Sequence, residues 1–275
     1  MRRLMVTARS IMVKNVPPRL YKFQSFEGKS SIENLRRSQI WFSKPDGLND
    51  PFDCSININF HSTDEELASF VRDHYIEWLR HTGKAEEIPE RELQYLPNGN
   101  PSKELRDATD KIIMEKQQQR RYEFSQMGVA CFTTEVENIL MWSHYASQHK
   151  GFCLEFDTNY FLFDGKLNLH QIDYSDSFPT HPHAALIQKP LIVNSPLTTK
   201  SKDWIYEREW RLIVREGNSA LEYDPKALTA IYFGCWASKE NMKKIATLPA
   251  ESAPRLYQMQ RSKTEFKLEY IPYSM

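Results

Sequence analysis

Short runs of apolar and aromatic residues recur at strand length along the second half of the chain, and they limit its fold more than any other feature. Val129-Ala130-Cys131-Phe132-Thr133, Gly151 to Phe156, Leu169 to Tyr174, Trp210 to Val214 and Ala230 to Phe233 are each only four to six residues long. They are rich in the β-branched and aromatic residues that suit a pleated surface. The segment near Phe266 to Tyr270 reads as a last strand, and Asn138 to Gln148 and Ser238 to Ala246 read as short helices between strands. At the start, Leu20-Tyr21-Lys22-Phe23 reads as a strand. Ser31 then caps a helix carrying Ile32, Leu35 and Ile40 toward the core, and Ile40-Trp41-Phe42-Ser43 is the next strand. From Asp64 to about Gln126 the pattern is helical and strongly charged, broken by loop signals between Pro89 and Pro101. The expectation is an α+β fold: one mixed domain over 1–275 with a central, largely antiparallel sheet. Segments 19–63 and 127–275 form its core, and 64–126 is a helical insertion.

Charge is balanced, so any nucleic-acid role would need a local basic patch. Lysine plus arginine equals aspartate plus glutamate at 36 each, so no global field draws the chain to nucleic acid or an anionic membrane. Cys54, Cys131, Cys153 and Cys235 lack metal-ligand spacing and lie among apolar residues, which predicts buried free thiols. No apolar run reaches the ~20 residues of a membrane span, and Met1 to Pro18 lacks a long apolar core and a small-residue cleavage site. A cytoplasmic location without membrane contact is expected. His181-Pro182-His183 could chelate a metal but has no third ligand in local register, so no metal site is predicted.

Three polar motifs remain. In Trp41-Phe42-Ser43-Lys44-Pro45, continuing to Leu48-Asn49-Asp50-Pro51-Phe52-Asp53, a strand delivers Ser43 and a rigid turn presents Asn49, Asp50 and Asp53 to ligand or metal. Alternatively, those side chains bond only their own turn. In Met141-Trp142-Ser143-His144-Tyr145, continuing to His149-Lys150-Gly151, helical spacing puts Trp142, Tyr145 and His149 on one face, an aromatic floor suited to a planar ring. The alternative is core packing, with His149 and Gly151 ending the helix. In Lys202 to Arg211, period-2 alternation puts Glu207, Glu209 and Arg211 on one strand face. Two carboxylates there could anchor a ribose, hold a metal or act as a base, or form ion pairs on a solvated edge.

These motifs, with Leu20-Tyr21-Lys22-Phe23, resemble the bacterial family catalogued as domain of unknown function 2971, over about Leu20 to Phe233. That family is similar to abortive-infection, phage-defence proteins. A more distant resemblance is to ADP-ribosyltransferases, in which successive strands supply a basic residue, an aromatic or Ser-Thr-Ser, and a catalytic Glu, often as Glu-x-Glu. Here Tyr21-Lys22, Trp41-Phe42-Ser43 and Glu207-x-Glu209 follow that order, with Lys22 in place of Arg or His and no Ser-Thr-Ser.

The transferase resemblance implies an NAD-consuming effector in antiphage defence or a toxin system, acting on a protein or nucleic-acid acceptor. NAD would be a substrate. Trp142 or Tyr145 would stack on a ring, and Lys22 would meet the diphosphate. Glu209 would bind the ribose hydroxyl and stabilise the oxocarbenium-like centre, while Glu207 positions the acceptor. Two other readings fit the same residues. One is a non-catalytic sensor of a small ligand, a phage protein or the product of a neighbouring gene; the other is a metal-dependent nuclease using Asp50, Asp53, Glu207 and Glu209.

Overall fold

The computed structural model describes residues 16–28, 30–54, 59–60, 63, 103–160, 169–181, 195–248 and 253–274. The chain runs through β1 (Arg19–Gln24), α1 (Ser31–Arg36), β2 (Gln39–Phe42), β3 (Asn59–Phe60), α2 (Lys103–Gln126), β4 (Gly128–Thr133) and α3 (Ile139–Tyr145). Next come β5 (Phe152–Asp157), β6 (Leu169–Gln171), β7 (Asp173–Ser175), β8 (Thr180–His181), α4 (Ser195–Thr198), β9 (Thr199–Ser201) and β10 (Glu209–Val214). It ends with β11 (Ser219–Glu222), β12 (Leu228–Phe233), α5 (Lys239–Ala246), β13 (Arg255–Arg261) and β14 (Leu268–Pro272).

Eight strands form the central sheet in the order β14-β13-β12-β5-β1-β4-β10-β6, antiparallel except for β12 against β13. The fold is thus mixed α and β around a mostly antiparallel sheet. Period-2 alternation sorts each strand between two apolar layers. Leu20, Phe132, Leu154, Trp210 and Ile231 point into one layer, and Phe23, Cys153, Ala230 and Tyr232 into another. No described helix is long and apolar enough to cross a membrane.

The sheet is not continuous at its centre. β1 pairs with β5 over six residues and β4 with β10 over six, but β1 meets β4 at the single pair Tyr21↔Thr133. Beyond that pair the two strands part. Ser43, just past β2, takes the free edge of β4 through a bridge to Val129, with N···O distances of 3.0 and 2.8 Å. Gly128 permits this approach, because a Cβ there would lie 2.9 Å from the Phe42 Cβ and 2.7 Å from a Val214 methyl. Strand β2 and the turn after it therefore wedge open a gap between β1 and β4.

Several boundaries differ from expectation. Helix α1 ends at Arg36 and Ile40 belongs to β2, because Ser38 turns the chain with φ 53. Ser31 is the first helical residue, and its hydroxyl donates to the Gln24 side chain at 3.2 Å. Helix α3 stops at Tyr145, since Ser147, Gln148 and His149 all take positive φ of 47, 54 and 65. The 169–174 run divides into β6 and β7 in different sheets, and Lys202–Glu207 is a 3-10 helix, not extended strand. Of the expected helical insertion, Lys103–Gln126 is α2, while 64–102 lie outside the described residues, as do Pro182 and His183. All four cysteines are free, but only Cys54 and Cys153 are fully buried; Cys131 and Cys235 are partly exposed.

Candidate functional site

The gap between β1 and β4 holds a cavity of about 370 Å³, at the lower end of ligand-pocket sizes. Tyr21 to Gln24 form one wall and Val129, Cys131 and Phe132 the other, with Trp41, Ser43 and the turn to Asn49 at the β2 side. Tyr145, Lys200, Glu207 and Glu209 complete the lining.

A buried ion network forms one side. Lys200 on β9 places Nζ 2.6 Å from Glu207, 3.1 Å from Glu209 and 3.4 Å from Asp53. Arg211 on β10, fully buried, donates from Nε and Nη2 to the two oxygens of Glu209 at 2.6 and 3.0 Å. It also donates to Asp53 at 2.6 Å, the Leu197 carbonyl at 2.9 Å and the Cys54 sulfur at 3.1 Å. Glu209 and Arg211 share a face because they are two apart on β10. Glu207 joins them by another route: the 3-10 helix ends with Arg208 at φ 45, and this left-handed residue swings Glu207 back beside Lys200. Above Glu207, the Tyr145 hydroxyl donates to Oε1 at 2.6 Å and accepts from Asn49 Nδ2 at 3.3 Å.

Three carboxylates thus face two cations, and their titration divides accordingly. Burial pushes Glu209 up, but Arg211 and Lys200 outweigh it and hold the carboxyl at about 2. Burial wins at Glu207, which lies above the ordinary carboxylate value despite Lys200. Burial opposes the charge on Lys200, yet Glu209, Asp53 and Glu207 together raise its pKa. Burial raises the Tyr145 phenol, and Glu207 raises it further, so it stays a donor.

Lys22 stands opposite this network. Its Nζ donates across the gap to the Cys131 carbonyl at 3.2 Å and lies 5.2 Å from the centre of the Phe132 ring. It enters no ion pair among the described residues, and burial lowers its pKa.

Residues 141–212 match the family model described as Protein of unknown function (DUF2971). The matched span runs from α3 into β10 and includes Tyr145, Lys200, Glu207, Glu209 and Arg211. No curated protein and no solved structure matches the chain.

Within the DUF2971 span and outside it, the motif residues separate into those that meet and those that do not. Lys22, Trp41, Ser43, Asn49, Asp53, Tyr145, Glu207 and Glu209 line the cavity, and Arg211 braces it from beneath. Trp142 is fully buried against Phe23, with its Nε1 donating to the Val136 carbonyl at 2.6 Å, so it offers no face to a ligand. The aromatic surface is instead Trp41, 40% exposed. Tyr21 contributes to the wall, but its ring packs on Tyr232 and its phenol is tied to Glu155. Asp50 accepts from Phe52 N at 2.9 Å, bonding its own turn. His149 is apart from the cavity, with Nε2 2.9 Å from Ser143 Oγ and its ring against Trp236. Lys200 was invisible to motif reasoning: one lysine between Thr199 and Ser201 reads as surface, and only its position shortly before Glu207 hinted otherwise.

Proposed function

We propose that the chain is an ADP-ribosyltransferase-like, NAD-consuming enzyme working in the β1/β4 gap. The observation that carries this reading is the arrangement of unlike groups around one cavity. An exposed Trp41 ring can stack on a base, Lys22 has no counter-anion among the described residues and a diphosphate would supply one, and the Tyr145–Glu207 pair offers hydrogen bonds for ribose hydroxyls. The aromatic role passes from Trp142 to Trp41, since Trp142 is enclosed.

The carboxylate assigned to the reacting centre also changes. Glu209 gives both oxygens to Arg211 and Lys200, which makes it the anchor of the site. Glu207 is the better base, because its raised pKa and its link to Tyr145 suit a group that gains and loses a proton. In this reaction the ribose–nicotinamide bond breaks with its electron pair leaving on nicotinamide. The acceptor nucleophile then bonds to the ribose carbon and its proton passes to Glu207. A phage-defence or toxin setting with a macromolecular acceptor rests on the resemblance alone.

A sensor that binds without turnover is the second reading, favoured by the near-complete burial of Glu207 and Glu209 and by the partners their oxygens already hold. The nuclease reading is weaker on chemical grounds. Lys200 Nζ occupies the centre of the three carboxylates, where a divalent ion would need to sit, and among the described residues no group of three or more His, Cys, Asp or Glu side chains is arranged for a metal.

The deciding experiment incubates the full chain with NAD labelled on its adenylate half, following nicotinamide release and label transfer to added protein, RNA or infected-cell lysate. Release that falls by about 10²-fold or more in Glu207→Gln supports the enzyme. Saturable NAD binding with no release under any condition favours the sensor.

A further inference from the structure

We propose that Lys22 is a nucleophilic amine that captures a small flat aldehyde or ketone in the β1/β4 gap as an imine. The inference goes beyond the NAD reading and does not depend on it.

Its basis is the contrast between two lysines of one cavity. Lys200 has three carboxylates within 3.4 Å and is fixed as an ammonium. Lys22 has one carbonyl oxygen at 3.2 Å and the Phe132 ring, with no ion pair among the described residues. The groups that bear on its charge are Cys131 on β4, Glu209 on β10 and Cys153 on β5. All favour the ammonium, and burial outweighs them. An amine half-buried in a largely apolar wall, with no counter-ion among the described residues, keeps its lone pair at pH values where exposed lysines have lost theirs. The cavity gives that lone pair a place to react, since Lys22 lines it together with the exposed Trp41 ring.

The chemistry needs no other reagent. The Lys22 nitrogen bonds to the carbonyl carbon as the carbonyl π pair moves to oxygen. A proton then passes from nitrogen to that oxygen. Loss of water, which takes the remaining N–H proton, leaves the C=N bond. A volume of about 370 Å³ has room for a substituted ring.

The test treats the full chain with pyridine-4-carboxaldehyde and cyanoborohydride at mildly acidic pH, then maps the reduced adducts by mass spectrometry. This aldehyde carries no phosphate, so it reports amine reactivity and not anion binding. The expected result is labelling of Lys22 at least about tenfold faster than exposed Lys226 and Lys239. Lys22→Met and Lys22→Arg should lose that adduct while the exposed lysines react as before and the thermal melt shows a folded chain. Labelling of Lys226 and Lys239 with none at Lys22, or labelling of Lys22 only at alkaline pH alongside them, overturns the proposal. Because no NAD is present, this result and the nicotinamide-release result succeed or fail separately.

Discussion

The two sides of the β1/β4 gap treat a lysine in opposite ways. On the β9/β10 side Lys200 is surrounded by Asp53, Glu207 and Glu209, and Arg211 braces Asp53 and Glu209 from below. On the β1 side Lys22 is half-buried, and among the described residues its Nζ has one carbonyl and the Phe132 ring beside it. Lys200 is the more buried of the two yet keeps its charge, so partners decide the outcome: the first lysine is a permanent charge that fixes geometry, and the second is free to change state. A rigid, ion-paired floor opposite an unsatisfied group is what a site needs to hold a ligand in one orientation.

The contrast predicts a graded set of effects. Lys200→Met should be the most damaging change, because it leaves three buried carboxylates facing one arginine. A loss of about 3–5 kcal/mol in urea unfolding is expected, and a loss below about 1 kcal/mol would mean that the network behaves as a surface pair. Lys22→Met should act in the opposite direction. A lysine with a lowered folded pKa binds fewer protons folded than unfolded, so its burial costs stability until the pH rises above the ordinary lysine value. Removing it should stabilise the chain at neutral pH by roughly 1–3 kcal/mol, and equal or lower stability would show that Lys22 already has a partner. Tyr145→Phe keeps the ring and removes the donor to Glu207, for an expected cost of about 0.5–1.5 kcal/mol.

Acid titration sharpens the comparison within the network itself. Glu209 has a lowered folded pKa of about 2. Its stabilising contribution is present above the unfolded carboxylate value of about 4.3 and is lost as the pH falls from there toward the folded value. Glu207 has a raised folded pKa, so its contribution is present below the unfolded value and lost as the pH rises through the folded one. At neutral pH, Glu209→Gln should therefore cost much more stability than Glu207→Gln, and only the Glu209 change should flatten the acid limb of the stability profile. Equal costs would remove the assignment of Glu209 as anchor and Glu207 as the group free to titrate.

Much of this architecture was legible in the sequence where periodicity and burial agree. The strands Val129–Thr133, Trp210–Val214 and Ala230–Phe233 lie within β4, β10 and β12 because alternating apolar residues have one way to satisfy two covered faces. The meeting of Asp53 with Glu209 and Arg211 was partly legible, since the charges of the third motif needed partners. What the residues could not reveal was the parting of β1 from β4, which depends on where Ser43 docks and on the bare backbone of Gly128. Trp142 misleads for a related reason: helical spacing places it beside Tyr145, but Phe23 and the Val136 carbonyl enclose it. Lys200 was hidden because a lysine is rarely buried, and only its three partners, distant in sequence or carried on the next turn, explain why this one is.

The most direct test of the account is calorimetric titration of NAD into the wild-type chain, Trp41→Ala and Trp142→Phe. The account predicts saturable binding to the wild type, weakening by about tenfold or more in Trp41→Ala, and nearly unchanged affinity in Trp142→Phe. Binding that ignores Trp41, or no binding by a folded wild-type chain, would contradict the placement of a dinucleotide in the β1/β4 gap.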